Sequence, residues 1–366
     1  MLTRIELKNF KCFKNISVEL SNLNVLAGIN SMGKSSVVQA LLLLRQSQER
    51  DQLLDGLSLN DLYVQIGTGK DLMNRNSNDD FISILLENDK KEYLFKYNYD
   101  RDSEFLTIKD VLEFEDVPEQ DFNLFRNTFA YVSADRIGPR RYYNSSNYEV
   151  FRNNQVGVKG ELFADYLAER SNDHIEDSLK HVSCSSNRLL EQTNAWLSEI
   201  SPGISIISKI DSETSVISLR YKDFDGDSSP LNVGFGLSYV APIVVALLKA
   251  KKDDLIIIEN PEAHLHPKGQ RKMGELIAKA AATGIQVIVE THSDHLLNGI
   301  RLSVKKDVID KSLVRLNYFF KERKEDGSEL YYEFKKISPA ILKDGRLSDW
   351  PEGFFDEWEN ALVELI

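Results

Sequence analysis

The spacing of apolar residues changes several times along the chain, and each change marks an element. Thr3, Ile5 and Leu7, then Val18 and Leu20, alternate with polar residues and predict two strands able to form a hairpin. A short, mainly apolar run at 23–27 has the length of a buried strand. A glycine-containing stretch follows, and an apolar helix is predicted at 35–46. Residues 51–74 look irregular, with Gly56, Gly67 and Gly69 as turn points. Short β-type runs at 81–86, 93–99 and 105–108, separated by polar turns, predict an antiparallel meander, and 129–132 predicts a further strand. Residues 159–200 carry helical periodicity with polar breaks. Residues 204–210 and 216–221 predict a second hairpin, with a polar loop at 223–230. A helix (237–248), a buried strand (255–258), a helix (268–282) and a buried strand (285–289) then alternate, which implies a mostly parallel sheet covered on both faces. A last hairpin is expected from 316–320 and 330–334, turning at Asp326-Gly327. Trp350, Phe354, Phe355 and Trp358 follow as an aromatic group that forms core or a docking surface.

Composition narrows the class. The 366 residues suffice for two or three lobes, and 42% hydrophobic with 28% charged content is ordinary for a globular protein. No apolar run approaches the roughly 20 residues a membrane span needs, and the alternating N-terminus is unlike a secretion signal. With Cys12 and Cys184 alone, neither a disulfide framework nor a metal spacing follows, and a cytoplasmic protein is expected. A net charge of −12 argues against general polyanion binding. Nucleic acid is left with two local basic groups, Arg136, Arg140 and Arg141, and Lys268, Arg271 and Lys272, which read more simply as solvated surface or phosphate-site residues.

The chemistry concentrates in four places. Residues 28–36 read Gly-Ile-Asn-Ser-Met-Gly-Lys-Ser-Ser, between a strand and a helix. Gly28 and Gly33 permit a tight turn beside phosphates. Backbone N–H groups of Asn30, Ser31, Gly33, Lys34, Ser35 and Ser36 can face one concavity at a helix N-terminus. Lys34 supplies a point charge and Ser35 a hydroxyl for Mg²⁺, so a nucleoside triphosphate is the expected ligand. Residues 255–267 read Leu-Ile-Ile-Ile-Glu-Asn-Pro-Glu-Ala-His-Leu-His-Pro, a buried strand that delivers Glu259 toward Mg²⁺. Residues 287–295 repeat the design, with a buried strand ending at Thr291-His292, where a histidine can sense a γ-phosphate. Residues 232–240, Asn-Val-Gly-Phe-Gly-Leu-Ser-Tyr-Val, open a helix at an N-terminus suited to an anion.

In this order the four motifs resemble the ABC-type ATPases of the SMC and RecF kind, with residues 5–13, Ile-Glu-Leu-Lys-Asn-Phe-Lys-Cys-Phe, standing as their first strands. The resemblance is closest to the stand-alone ATPases related to the overcoming-lysogenization-defect proteins, through the segments at 131–140, 259–267, 290–297 and 349–357. It implies an α/β P-loop fold with a mixed sheet, helices on both faces, a β-meander and helical insertion, and a small C-terminal module. The expected division is 1–75 and 229–312 for the ATPase, 76–228 for the insertion and 313–366 for the module. The resemblance also implies ATP and Mg²⁺ as cofactors. Asn30 to Ser36 would bind phosphates, Ser35 and Glu259 would serve Mg²⁺, and His292 would be the switch histidine. Gly234, Gly236 and Ser238 would act in trans on a second copy's nucleotide, and His266 would lie in a dimer-contacting loop. Lys11 and Phe13 would flank the base or ribose, and Gln65 is a candidate loop glutamine.

One position departs from the pattern. Where these ATPases carry a water-polarising glutamate, this chain has Asn260, which orients water but accepts no proton. Either hydrolysis is slow or another carboxylate substitutes; Glu262 and Glu290 are nearest in sequence, with Glu262 favoured. A rival reading gathers His264, His266, His292, Asp294 and His295 into a catalytic metal site, although the ATPase pattern already accounts for both segments. The expected function is an ATPase that associates as a homodimer or higher oligomer across ATP and regulates an effector, a nuclease or toxin, in anti-phage defence. The alternatives are a RecF-like DNA-repair ATPase and an ATP-binding scaffold that barely hydrolyses.

Overall fold

The computed structural model describes residues 1–110, 121–143, 145–211, 216–223, 226–326, 329–351, 353–355 and 357–365. It resolves into two compact units, one formed by residues 1–126, 314–340 and 347–366, the other by 127–313 and 341–346.

The first unit begins with strands β1 (Arg4–Phe10), β2 (Phe13–Glu19) and β3 (Leu23–Gly28), helix α1 (Lys34–Glu49), strand β4 (Gly56–Ser58), the single turn α2 (Gly69–Leu72), and strands β5 (Phe81–Glu87), β6 (Glu92–Asn98) and β7 (Phe105–Asp110). Strands β2-β1-β5-β6-β7-β4 form one antiparallel sheet. The meander is as expected, but it continues the N-terminal hairpin through β1–β5 pairing, so the boundary expected near residue 75 falls within one sheet. Alternation explains the pairing. Ile5 and Leu7 face inward on β1, Ile82, Ile84 and Leu86 on β5, and Phe95 and Tyr97 on β6, all buried. Helix α1 is buried nearly all round, Val37 through Ser47 with one exception, as befits a helix covered on more than one side.

The second unit contains β8 (Ala130–Val132), β9 (Tyr142–Tyr143), α3 (Phe163–Arg170), α4 (Leu189–Ile200), β10 (Ser205–Asp211), β11 (Val216–Asp223), β12 (Gly226–Ser228), α5 (Phe235–Lys249), β13 (Leu255–Glu259), α6 (Pro267–Ala282), β14 (Gln286–Glu290) and α7 (Asp294–Lys305). β13 pairs in parallel with both β14 and β8, which sets Glu259 opposite Glu290. The continuous apolar sequences of β13 and β14 are those of strands buried on both faces. β10, β11 and β12, with β9 on β11, make the second hairpin's own small antiparallel sheet.

The chain then returns to the first unit with β15 (Val314–Asp326), β16 (Glu329–Ile337) and α8 (Glu357–Leu365). The expected hairpin forms, longer than predicted; its turn residue Gly327 lies outside the described residues, as do 224 and 225 of the expected polar loop and the side chain of Trp358. β15 runs parallel to β3, with Phe319 opposite Gly28. Phe354 is core, set against Tyr318 and Trp350 at 5.0 and 5.6 Å between ring centroids, whereas Trp350 is exposed. Among the described residues no helix is long and apolar enough to cross a membrane.

Candidate functional site

Two groups of residues carry the chemistry, one in each unit. In the first unit the segment between β3 and α1 turns through positive φ at Gly28 (142°), Ser31 (65°) and Gly33 (101°). Gly33 is obligatory twice over. Its φ is left-handed, and a Cβ there would meet the Phe13 ring at 2.3 Å and Cys12 Sγ at 2.8 Å. Gly33 is also the N-cap of α1 and offers no side chain to the helix, while the Ser36 N–H donates to Gly33 O at 3.0 Å. The Lys34 ammonium, 3% exposed, donates to the carbonyls of Gly28 and Ile29 at 2.8 and 2.9 Å. Asn30, Ser31 and Ser35 are exposed, and Ser36 is buried.

The structure gives Phe13 another role than the expected one. At 1% exposure, with its ring against Phe319 and Phe334 at 6.1 and 6.4 Å, it has no open face for a base; it is the wedge beneath Gly33. Lys11 donates to Gln39 Oε1 of α1 at 2.6 Å, and burial pushes its ammonium below the usual range. Gln65 is exposed and its backbone bridges Asn60.

In the second unit Glu259 ends β13, and its carboxylate accepts the Ala134 N–H at 3.0 Å. Burial raises its pKa, opposed by that bond, by Tyr131 and by Arg136. Arg136 belongs to no surface patch. It is 2% exposed and donates to the carbonyls of Ser133, Glu259 and Asn260, each at 2.7 Å, with its guanidinium 5.3 Å from the Tyr239 ring. Burial brings it down to about 10, against the nearby charge of Glu262. The sequence grouped Arg136 with Arg140 and Arg141; only those two are exposed. Two of the second basic group are also committed: Arg271 pairs with Glu275, and Lys272 with Glu199 and Glu275, whereas Lys268 is exposed.

Arg136 therefore straps the turn after β13. There Asn260 sits at φ 45°, a left-handed conformation asparagine adopts more readily than most residues, and its N–H donates to Glu290 O at 2.8 Å. Its side-chain Oδ1 is buried with no hydrogen-bond partner among the described residues. Glu262 accepts the His292 N–H at 2.7 Å, and burial raises its pKa against that bond. The structure thus joins two residues the sequence singled out separately, while the His292 ring is exposed.

At the glycine-rich segment, Gly234 is the exposed N-cap of α5 and, like Gly33, carries no capping side chain. A Cβ on Gly236 would lie 2.6 Å from His264 O, so this glycine lets the helix pack on the 260s loop. Ser238 is 1% exposed and lies 3.4 Å from Tyr221 Oη inside its own unit. In this arrangement its hydroxyl faces Tyr221 within its own unit. The residues of the rival metal reading are engaged otherwise. The His264 ring lies 4.7 Å from that of Tyr239, His266 Nδ1 caps α6 by accepting the Lys268 N–H at 3.3 Å, and His295 Nδ1 lies 3.7 Å from Asp294. Among the described residues no group of three or more His, Cys, Asp or Glu is placed to hold a metal ion. Neither the Arg136 strap nor the Ala134 N–H is legible from spacing; Tyr131–Arg140 was marked only by resemblance.

A family described as "AAA domain, putative AbiEii toxin, Type IV TA system" matches residues 23–298, and one described as a protein of unknown function matches 309–365. Among curated proteins none matches significantly. Solved structures that are similar include an Smc head bound to the C-terminal winged-helix domain of ScpA, at 14% identity and TM-score 0.52 over 92% of this chain and 98% of that one. They also include the Pyrococcus furiosus Smc head with an extended coiled coil bound to the C-terminal domain of ScpA, at 12% identity and TM-score 0.52 over 100% of this chain and 99% of that one. The fold is that of an SMC-head P-loop ATPase.

Proposed function

The chain belongs to the AAA-domain family whose description names the AbiEii toxin and a type IV toxin–antitoxin system, and on that premise we propose that it binds ATP with Mg²⁺, associates with a second copy on doing so, and thereby controls an effector, a nuclease or toxin, in anti-phage defence. The observation that carries this reading is the segment 28–36, a left-handed glycine fixed by Phe13 at the uncapped start of α1, with a buried lysine bonded to the loop's own carbonyls. Such a cradle at a helix N-terminus suits phosphate oxygens, which can draw the Lys34 ammonium from Gly28 and Ile29. The amides of Asn30 to Ser36 and the Lys34 ammonium would hold the phosphates, with Ser35 and Glu259 on the Mg²⁺ side. When bound, the metal and triphosphate supply the electrophilic γ-phosphorus.

Three residues of the second unit bear on hydrolysis. Asn260 accepts no proton, and its left-handed φ is reason enough for asparagine there. Glu262 is the base we favour: burial raises its pKa toward the range where a general base works. Its bond to the His292 N–H couples that base to the segment carrying the switch histidine. Gly234 and Gly236 remain the residues proposed to meet a second copy's nucleotide, and His266 lies in the proposed contact loop. The toxin–antitoxin wording of the family and the ScpA domains seated on Smc heads both support control of a partner. Asn260 also favours a second reading, an ATP-dependent scaffold with little turnover.

Single-turnover hydrolysis separates the two. On the first reading, Glu262→Gln lowers the rate at least 100-fold while ATP affinity changes less than threefold. An unchanged rate in that variant contradicts Glu262 as the base, and no measurable turnover in the parent chain favours the scaffold.

A further inference from the structure

The second unit holds a cavity of about 430 Å³ that none of the nucleotide chemistry uses. It opens at the C-terminal end of α5, whose N-terminal end carries Gly234 to Ser238, about 22 Å away at 1.5 Å per residue. Its polar lining is mainly cationic, from Arg170, Lys249 and Lys251, with Asp173, Tyr166 and Asn154 beside them. We propose that this cavity is a binding site for a small phosphate-bearing molecule, distinct from the phosphate loop and connected to the glycine-rich segment through α5.

Unused donors line this cavity. Lys249 presents three N–H donors, and among the described residues its one hydrogen-bond acceptor is Asn154 O, at 2.5 Å. Arg170 is held by Asp173 at 2.9 Å, yet its Nε is buried with no hydrogen-bond partner among the described residues. The nearby acids are already engaged: Asp173 by Arg170, and Asp254 by the Lys251 N–H at 2.8 Å. Three cations and His174 therefore share the cavity lining with one carboxylate, Asp173, which is already committed, inside a chain whose net charge is −12. A half-buried cation with unmet donors is costly unless an anion or water answers it. A phosphate group, with several acceptor oxygens, matches a lysine and an arginine converging on one space. Burial has already pulled Lys249 down to about 8, the direction expected of a cation short of countercharge, with Asp254 opposing the shift and Arg170 adding to it. Tyr166 donates to Asn154 Oδ1 at 2.6 Å and fixes the wall that also holds Lys249. The cavity exceeds a bare phosphate, so the group's carrier has room.

The test uses the full chain carrying Lys34→Ala, which disables the phosphate loop, titrated calorimetrically with inorganic phosphate and, separately, with ribose 5-phosphate. The proposal expects one saturable site per chain for both, the ester binding at least as tightly. Adding Arg170→Gln, a partly exposed position, weakens binding at least tenfold, and so does adding Lys249→Met. No saturable binding in the Lys34→Ala chain overturns the proposal, and so does equal affinity with and without Arg170→Gln. Failure here leaves the phosphate loop's role untouched, because that loop is already disabled.

Discussion

At the scale of residues, backbone conformation and burial decide more than residue type. Gly33 was legible as a phosphate-loop glycine, but the ring that makes it irreplaceable was not. Phe13 stands 20 positions earlier, and its packing against Phe319 and Phe334 depends on strands that meet only in the fold. Gly33→Ala should therefore destabilise the chain by about 2 kcal/mol, combining φ strain with a steric clash, and abolish ATP binding; urea unfolding and nucleotide titration read the two effects. The same lesson applies to Arg136 and Ser238, both polar in sequence and both buried in fact. A lone arginine or serine carries no mark of burial in an unaligned sequence. The carboxylates give a pH prediction. Burial places Glu262 above its ordinary 4.5, so its conjugate base is lost on acidification at a higher pH than for a free glutamate. The acid limb of kcat should lie correspondingly high; a limb at ordinary carboxylate pH would remove Glu262 from the reaction. Stability runs the opposite way. The folded state keeps this proton where the unfolded chain has released it, so the group's contribution to stability falls as pH rises through that window.

At the scale of elements, local periodicity found the longer helices and strands of the interior, because buried parallel strands and amphipathic helices write their periods into short windows, but it missed β4, α2, β9, α8 and β12, the last within the expected polar loop. It could not find partners. The pairing of β3 with β15 joins residues about 290 apart, and β1 with β5 joins the N-terminal hairpin to the meander. No window of sequence contains both sides of either ladder. The consequence concerns the C-terminal segment. Because β15 supplies hydrogen bonds along all of β3, the strand that feeds the phosphate loop, ending the chain at residue 313 should abolish ATP binding even though every phosphate-loop residue remains. A truncated chain that binds ATP with parental affinity would show that β3 keeps its geometry without β15.

At the scale of the whole molecule, the proposed mechanism uses ATP as binding energy for association, with hydrolysis as a slower release. Such a ligand shifts an equilibrium only through its different affinity for the two states, so association must depend on nucleotide and on the loop that holds it. The most direct measurement is molar mass by light scattering at micromolar protein, with and without ATP and Mg²⁺, in the Glu262→Gln chain to slow turnover. The account predicts 41.8 kDa without nucleotide, at least twice that mass with it, and no change in the Lys34→Ala chain. A mass that stays at 41.8 kDa while ATP is bound at one site per chain would contradict it.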